Sequence, residues 1–189
     1  MALRHAVLAA LLDGEYTGYQ LAKIFDAGVA NFWHAVPQQL YAELTKLERD
    51  GLVSGRQVIQ HDRPNKRPYT VTEAGITELA RFAATTSKPS FIRDDLLVKV
   101  HAVDSLGAEA VIAQLDERAA RAAAKVEIFD RTLRHLRGDL DEESFLDSGD
   151  RVGPYLTCLR GRRFEQENVD WCRHTADLLR RRAAVHAGQ

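Results

Sequence analysis

From Ala108 to Leu136 the chain runs 29 residues without a glycine or a proline, and alanine, arginine and glutamate dominate the stretch. Within it Leu115, Ala119, Ala122, Val126, Phe129, Leu133 and Leu136 recur at alternating steps of four and three. That spacing keeps one apolar seam turned toward a neighbouring helix. A strand cannot use it, because strand faces alternate every second residue. The segment therefore predicts one helix about 43 Å long at 1.5 Å per residue. A small domain has little internal use for such a length, so part of the seam is expected to pack on a second chain. Leu115, Ala122, Val126, Phe129, Leu133 and Leu136, with Trp171 further on, are the expected dimer residues, and a two-fold pair is the simplest symmetry for them.

The neighbouring segments extend the helical reading. Leu96, Leu97, Val100 and Val103 mark a short amphipathic helix that ends near Ser105 and Gly107. Gly138 to Gly149 reads as an acidic loop. Its run Asp139-Leu140-Asp141-Glu142-Glu143 lacks the alternation of a calcium loop and reads as a solvated linker. Pro154 starts a last helix whose apolar members include Tyr155, Leu159, Phe164, Trp171 and Leu178. Upstream, Ser87-Lys88-Pro89-Ser90 is polar and carries a proline, the chemistry of a boundary. Two domains are expected, residues 1–86 and 87–189.

The first 86 residues follow a different grammar. Leu3, Val7, Leu8, Leu11 and Leu12 have helical spacing, and Gly14 stops them. Thr17 and Gln20 form a capping box ahead of Leu21, Ile24 and Phe25; Gly28 and Asn31 end that helix. Pro37 then sits in a first turn, where a missing N–H costs nothing. Leu40, Leu44 and Leu47 make the apolar stripe of a third helix closed by Gly51. The period next changes to that of strands: Leu52-Val53 and Arg56 to Gln60 lead to a polar tip, His61 to Lys66, and Arg67 to Thr72 returns. Thr72 caps a fourth helix with Ile76, Leu79, Ala80 and Ala83 on its stripe. Helix, helix, helix, hairpin, helix is the plan of a winged helix-turn-helix. The fold class is thus mainly α: an α+β winged helix-turn-helix followed by an all-α, antiparallel or coiled-coil-like domain.

Residues 17–21 (Thr-Gly-Tyr-Gln-Leu), 39–44 (Gln-Leu-Tyr-Ala-Glu-Leu), 47–53 (Leu-Glu-Arg-Asp-Gly-Leu-Val) and 67–75 (Arg-Pro-Tyr-Thr-Val-Thr-Glu-Ala-Gly) occur in this order. Taken together, they make the first half resemble the PadR family of transcriptional regulators. The helical second half is similar in architecture and length to the longer PadR subfamily, whose C-terminal helices make the dimer. The glycine usual near the start of the family's recognition helix is replaced by His34-Ala35-Val36-Pro37. The resemblance implies a repressor, of a kind often released by a small aromatic compound or another effector.

Charge alone does not propose DNA as a partner. The net charge is −1, and residues 1–86 balance nine basic against nine acidic side chains. Only Arg56 to Arg67 is locally basic, with Arg56, Arg63, Lys66 and Arg67 against Asp62. In a helix-turn-helix the N-terminal residues of the recognition helix meet base edges in the major groove. This places Gln38, Gln39 and Tyr41 nearest the bases, and a glutamine amide can pair bidentately with adenine. Thr45, Lys46 and Tyr19 lie nearer the phosphates, and the wing cations Arg63, Lys66 and Arg67 reach the backbone or the minor groove. Tyr41 serves equally well as a core residue, and Tyr69 reads as core before DNA contact. A dimer would present two recognition helices about 34 Å apart to an inverted-repeat operator in double-stranded DNA.

An enzyme is not expected. The sequence has no glycine-rich phosphate loop, nucleophile elbow or Cys-x-x-Cys pair. The seven histidines are scattered without i, i+4 pairs, so neither a metal site nor a cofactor is expected. Cys158 and Cys172 lie about 21 Å apart along one helix, too far to bridge, and reduced thiols point to the cytoplasm. No apolar run approaches the roughly 20 residues of a membrane span, and the start lacks a signal-peptide pattern. Phe32, Trp33, Phe91 and Trp171 are candidates to line an effector pocket if they converge; otherwise they are core and interface anchors. The rival reading is a winged-helix protein-interaction adaptor that does not bind DNA. Alanine at Arg63, Lys66 and Arg67 separates the two, since only a DNA binder would lose function.

Overall fold

The computed structural model describes residues 2–25, 33, 35–59, 65–87, 93–105, 107–150 and 152–187. The chain divides into two compact units, Met1–Pro89 and Ser90–Gln189.

The first unit opens with α1 (Ala2–Ala10), followed by β1 (Tyr16–Thr17) and α2 (Gly18–Ile24). Then come α3 (Pro37–Arg49), β2 (Val53–Gly55), β3 (Pro68–Val71) and α4 (Glu73–Ala83). Thr17 starts α2 through the expected capping box: its Oγ1 accepts from the Gln20 N–H at 3.3 Å, and the Gln20 Oε1 accepts from the Thr17 N–H at 3.0 Å. Val7 and Leu8 of α1 and Leu11 just after it meet Leu21, Phe25, Leu40, Leu44, Leu47 and Val53 in one core. The sheet is antiparallel in the order β1-β3-β2, with Tyr16 opposite Tyr69 and Val53 opposite Val71. The strand β1 was not foreseen, because two residues are too few to show an alternation. The expected strand at Arg56 to Gln60 is also interrupted: β2 ends at Gly55, and the ladder resumes only at the Val58–Lys66 bridge. Gln60 lies outside the described residues, as do Gly28 and Asn31.

The stripe assigned to α4 needs correction. Ile76 is 51% exposed, Ala80 and Ala83 are exposed, and of the four only Leu79 packs on the core. Instead α4 leans on α1 through polar and aromatic groups, because His5 of α1 reaches both Glu78 and Phe82.

The second unit consists of α5 (Asp95–His101), a 3-10 turn (Val103–Ser105), α6 (Ala108–Arg137), α7 (Glu142–Ser148) and α8 (Val152–Ala187). The long helix forms as its composition requires, but its seam is used inside the chain. Leu115, Ala119, Ala122, Val126, Phe129 and Leu133 are all buried, and α8 is the main partner of α6. Two clusters hold the pair together. Leu96, Val111, Leu115 and Ala119 pack with Cys172, Ala176 and Leu179 at one end. At the other, Phe129 and Leu133 pack with Phe145, Tyr155 and Cys158, and Leu136 lies against them. Ion pairs Asp116–Arg180, Lys125–Glu165 and Asp130–Arg162 fix α6 and α8 as antiparallel. The seam read as facing a second chain therefore faces α8 of its own.

The matching face of α8 is Cys158, Glu165, Val169, Cys172, Ala176 and Leu179. Phe164 and Leu178, two of the apolar members read in this helix, are 42% and 41% exposed. Tyr155, Leu159 and Trp171 of that set do pack inward, and between them small residues, Cys158, Cys172 and Ala176, fill the seam and let the helices approach. The acidic loop is likewise partly helical. Asp141 caps α7 by accepting from the Ser144 N–H at 2.9 Å, and Glu142 and Glu143 suit its positive N-terminal end. Phe145 fastens the helix, its ring centroid 4.9 Å from that of Tyr155.

Candidate nucleic-acid interface

Leu40, Leu44 and Leu47 fix the roll of α3 by burying one side of it almost completely. Gln38, Gln39, Tyr41, Thr45 and Lys46 consequently stand at the surface. The helix begins at Val36, in extended backbone, with Pro37 in the first turn. Gln39 completes that start: its Oε1 accepts from the Val36 N–H at 3.1 Å. Gln39 is thus partly committed to the cap, whereas the Gln38 side chain makes no hydrogen bond among the described residues.

Tyr41 is 46% exposed, and its ring edge lies against the backbone of Gly18. A Cβ at Gly18 would stand 2.3 Å from Tyr41 Cε1, so the glycine is what lets the start of α2 approach α3. Beside it Tyr19 is 63% exposed, with the Lys23 ammonium 4.7 Å from its ring centroid. Thr45 donates to the Tyr41 carbonyl at 3.1 Å, which turns its hydroxyl inward along the helix. Lys46 Nζ is 3.7 Å from Glu43, a loose pair on an exposed side chain.

The wing is less available than its sequence promised. Arg63 lies outside the described residues. Lys66 is exposed at its bridge with Val58. Arg67 is engaged: its Nη2 donates to Glu48 Oε1 at 2.7 Å, and its guanidinium carbon is 5.9 Å from the Tyr69 ring centroid. The Glu48 hydrogen bond raises the Arg67 pKa above its ordinary value. Partial burial does the same for the Tyr69 phenol, consistent with Tyr69 lying against the core. Arg56 forms a two-pronged pair with Glu15, at 2.7 and 2.8 Å. Glu48 and Glu15 carried no signal in the sequence, because their partners stand on other elements, whereas Lys23, four residues after Tyr19 on one helix, was readable from its spacing.

Of the four aromatics expected to line an effector pocket, two lie among the described residues. Trp33 packs on the core of the first unit and Trp171 on that of the second, while Phe32 and Phe91 lie outside the described residues. Among the described residues no group of three His, Cys, Asp or Glu side chains could hold a metal. No described helix is long and apolar enough to cross a membrane.

The pattern of the transcriptional regulator PadR-like family matches residues 7–81, and that of the C-terminal part of virulence activator alpha matches residues 92–180. The chain is 32% identical to the probable transcriptional regulator Rv1176c of Mycobacterium tuberculosis, covering 95% of this chain and 98% of that protein. It is 26% identical to the negative transcriptional regulator PadR of Bacillus subtilis, over 89% and 92% of the two chains. The crystal structure of that PadR in complex with operator DNA superposes with a TM-score of 0.77 at 24% identity, covering 95% of this chain and 99% of that one. The same protein in complex with p-coumaric acid gives 0.70 at 23% identity, with 95% and 99% covered. These relatives are regulators rather than enzymes, and an end-to-end match at this identity joins both units to one lineage: the chain belongs to the PadR-like family of transcriptional regulators.

Proposed function

We propose that this regulator is a cytoplasmic homodimer that binds an inverted-repeat operator in double-stranded DNA and represses transcription. One observation carries the reading: α3 buries its leucines and turns Gln38 and Lys46 outward, beside the exposed Tyr19 at the start of α2. Gln38 reads base edges; Tyr41 packs on Gly18 and offers its edge. Lys46, Tyr19 and Lys66 approach the phosphates, together with Arg63. The operator complex of the Bacillus subtilis protein supports the partner, and its p-coumaric acid complex supports an aromatic acid as the effector class.

With the seam of α6 occupied, the dimer surface is assigned to another face of α8. Phe164, Trp171, Leu178 and Val185 fall at steps of seven. Three of them are 41% to 61% exposed and Trp171 is partly buried. Apart from Trp171, which also packs on the core of its unit, this coiled-coil stripe is open to a partner.

The test is fluorescence anisotropy of the purified protein against DNA from upstream of its own gene, at two salt concentrations, with scrambled DNA as control. Saturation at one dimer per inverted repeat is expected. A folded dimer with no preference over scrambled DNA would reject self-regulation, and a genome-wide selection that also found no site would reject the DNA reading.

A further inference from the structure

Glu48, in the last turn of α3, ties the recognition helix to β2 and to Arg67, the residue that leads into β3. Its Oε1 accepts from the backbone N–H of Gly55 at 3.1 Å and from Arg67 Nη2 at 2.7 Å. Gly55 stands opposite Tyr69 in the ladder. A Cβ at Gly55 would lie 2.7 Å from Glu48 Oε1, 2.8 Å from Tyr69 Cε1 and 2.9 Å from Arg67 Nε. Three side chains therefore converge on a space that only glycine leaves open. The side chains of Arg67 and Glu48 are 53% and 28% exposed, and exposed ion pairs add little to stability. What the arrangement does is directional: one carboxylate oxygen, fixed by a backbone N–H, sets where the Arg67 charge points.

We propose that Glu48 is a positioning residue that withholds Arg67 from the DNA backbone and sets the angle between wing and recognition helix. The inference rests on the DNA-binding reading and deepens it. A phosphate contact by Arg67 would release counterions, and each such contact steepens the salt dependence by about 0.9. Two protomers make that about 1.8 per dimer. With Arg67 held by Glu48, this increment is absent, and the wing contributes Lys66 and Arg63 instead. Holding back one cation per protomer lowers affinity for any duplex equally, which leaves a larger share of binding to the base contacts of α3.

Glu48→Gln separates charge from shape, because a glutamine oxygen still accepts from Gly55 while the ion pair is lost. In anisotropy titrations of full-length protein over a salt series, Arg67→Ala should leave the slope unchanged. Glu48→Gln should steepen it by about 1.8, tighten binding to scrambled DNA and reduce the preference for the operator. Arg67→Ala on top of Glu48→Gln should restore the wild-type slope. A slope that falls by about 1.8 in the single Arg67→Ala variant would overturn the proposal, since Arg67 would already be on a phosphate. An arm without DNA separates the two readings. The Arg67 Nε–H resonance should shift toward that of free arginine in Glu48→Gln, and an unmoved resonance would mean that Glu48 does not hold Arg67. A shifted resonance in a protein that binds no duplex would remove the DNA reading and the withholding role together, leaving only the brace.

Discussion

The ring of His5 lies flat on that of Phe82, with centroids 3.9 Å apart and planes 7° from parallel. The contact joins the first helix of the winged domain to its last, and His5 Nε2 is also 3.0 Å from Glu78. That hydrogen bond is the main reason the Glu78 carboxyl sits below its ordinary pKa, with Arg81 adding to it. A lowered carboxyl pKa gives stability that is complete above the ordinary glutamate value of about 4.3. It is lost as pH falls through the lowered folded value. The Tm of the winged unit should therefore drop on acidification below about pH 4, and Glu78→Gln should drop less. Comparing the wild type with Glu78→Gln cancels the Asp94 carboxyl, which Arg118 lowers in the same direction. His5→Ala should cost about 0.5–1.5 kcal/mol from the ring pair. Parallel thermal melts of the wild type and both variants from pH 7 to 3 check both; identical acid slopes in the wild type and Glu78→Gln would remove Glu78 from the account.

Gln38 and Lys46 should fail in different ways. Gln38→Ala should weaken operator binding by about 1–3 kcal/mol and leave scrambled DNA almost untouched. Lys46→Ala should weaken both and flatten the salt slope by about one per protomer. Gln39→Ala removes the acceptor for the Val36 N–H, so it should fray the start of α3 as well. Anisotropy on two DNAs, with circular dichroism for helix content, distinguishes the three.

The two long helices should separate folding from assembly. Leu115 is fully buried, so Leu115→Ala should cost about 2–5 kcal/mol of stability. Leu178→Asp and Val185→Asp place charges on the outer stripe of α8 and should give folded monomers. Sedimentation equilibrium reads the mass, and an unchanged dimer in both aspartate variants would place the interface elsewhere.

Cys158 and Cys172 should be inert while the protein is folded. Both are buried and free, and burial pushes the Cys158 thiol up to about 11. The thiolate is the reactive form, so aromatic disulfide reagents at pH 8 should modify neither until denaturant is added. Rapid modification of Cys158 in the native protein would show that the α6–α8 pair opens easily.

Much of this molecule was legible along the chain. The Thr17–Gln20 cap, Pro37 ahead of three leucines, Thr72 ahead of α4 and the uninterrupted run to Leu136 are local patterns, and local backbone chemistry decides where helices start and stop. So was the outward side of α3, because its leucine stripe fixes the opposite face. Tertiary structure decided the remainder. Whether the seam of α6 met a second chain or its own α8 depended on a turn at α7 that folds the chain back. The answering face was built from Cys158, Cys172 and Ala176, too small to stand out. Whether Arg67 was a free cation depended on Glu48, nineteen residues away on another element. A sequence shows which charges exist; only tertiary packing, which brings Glu48, Tyr69 and Arg67 together where Gly55 has no side chain, determines which of them remain free to meet DNA.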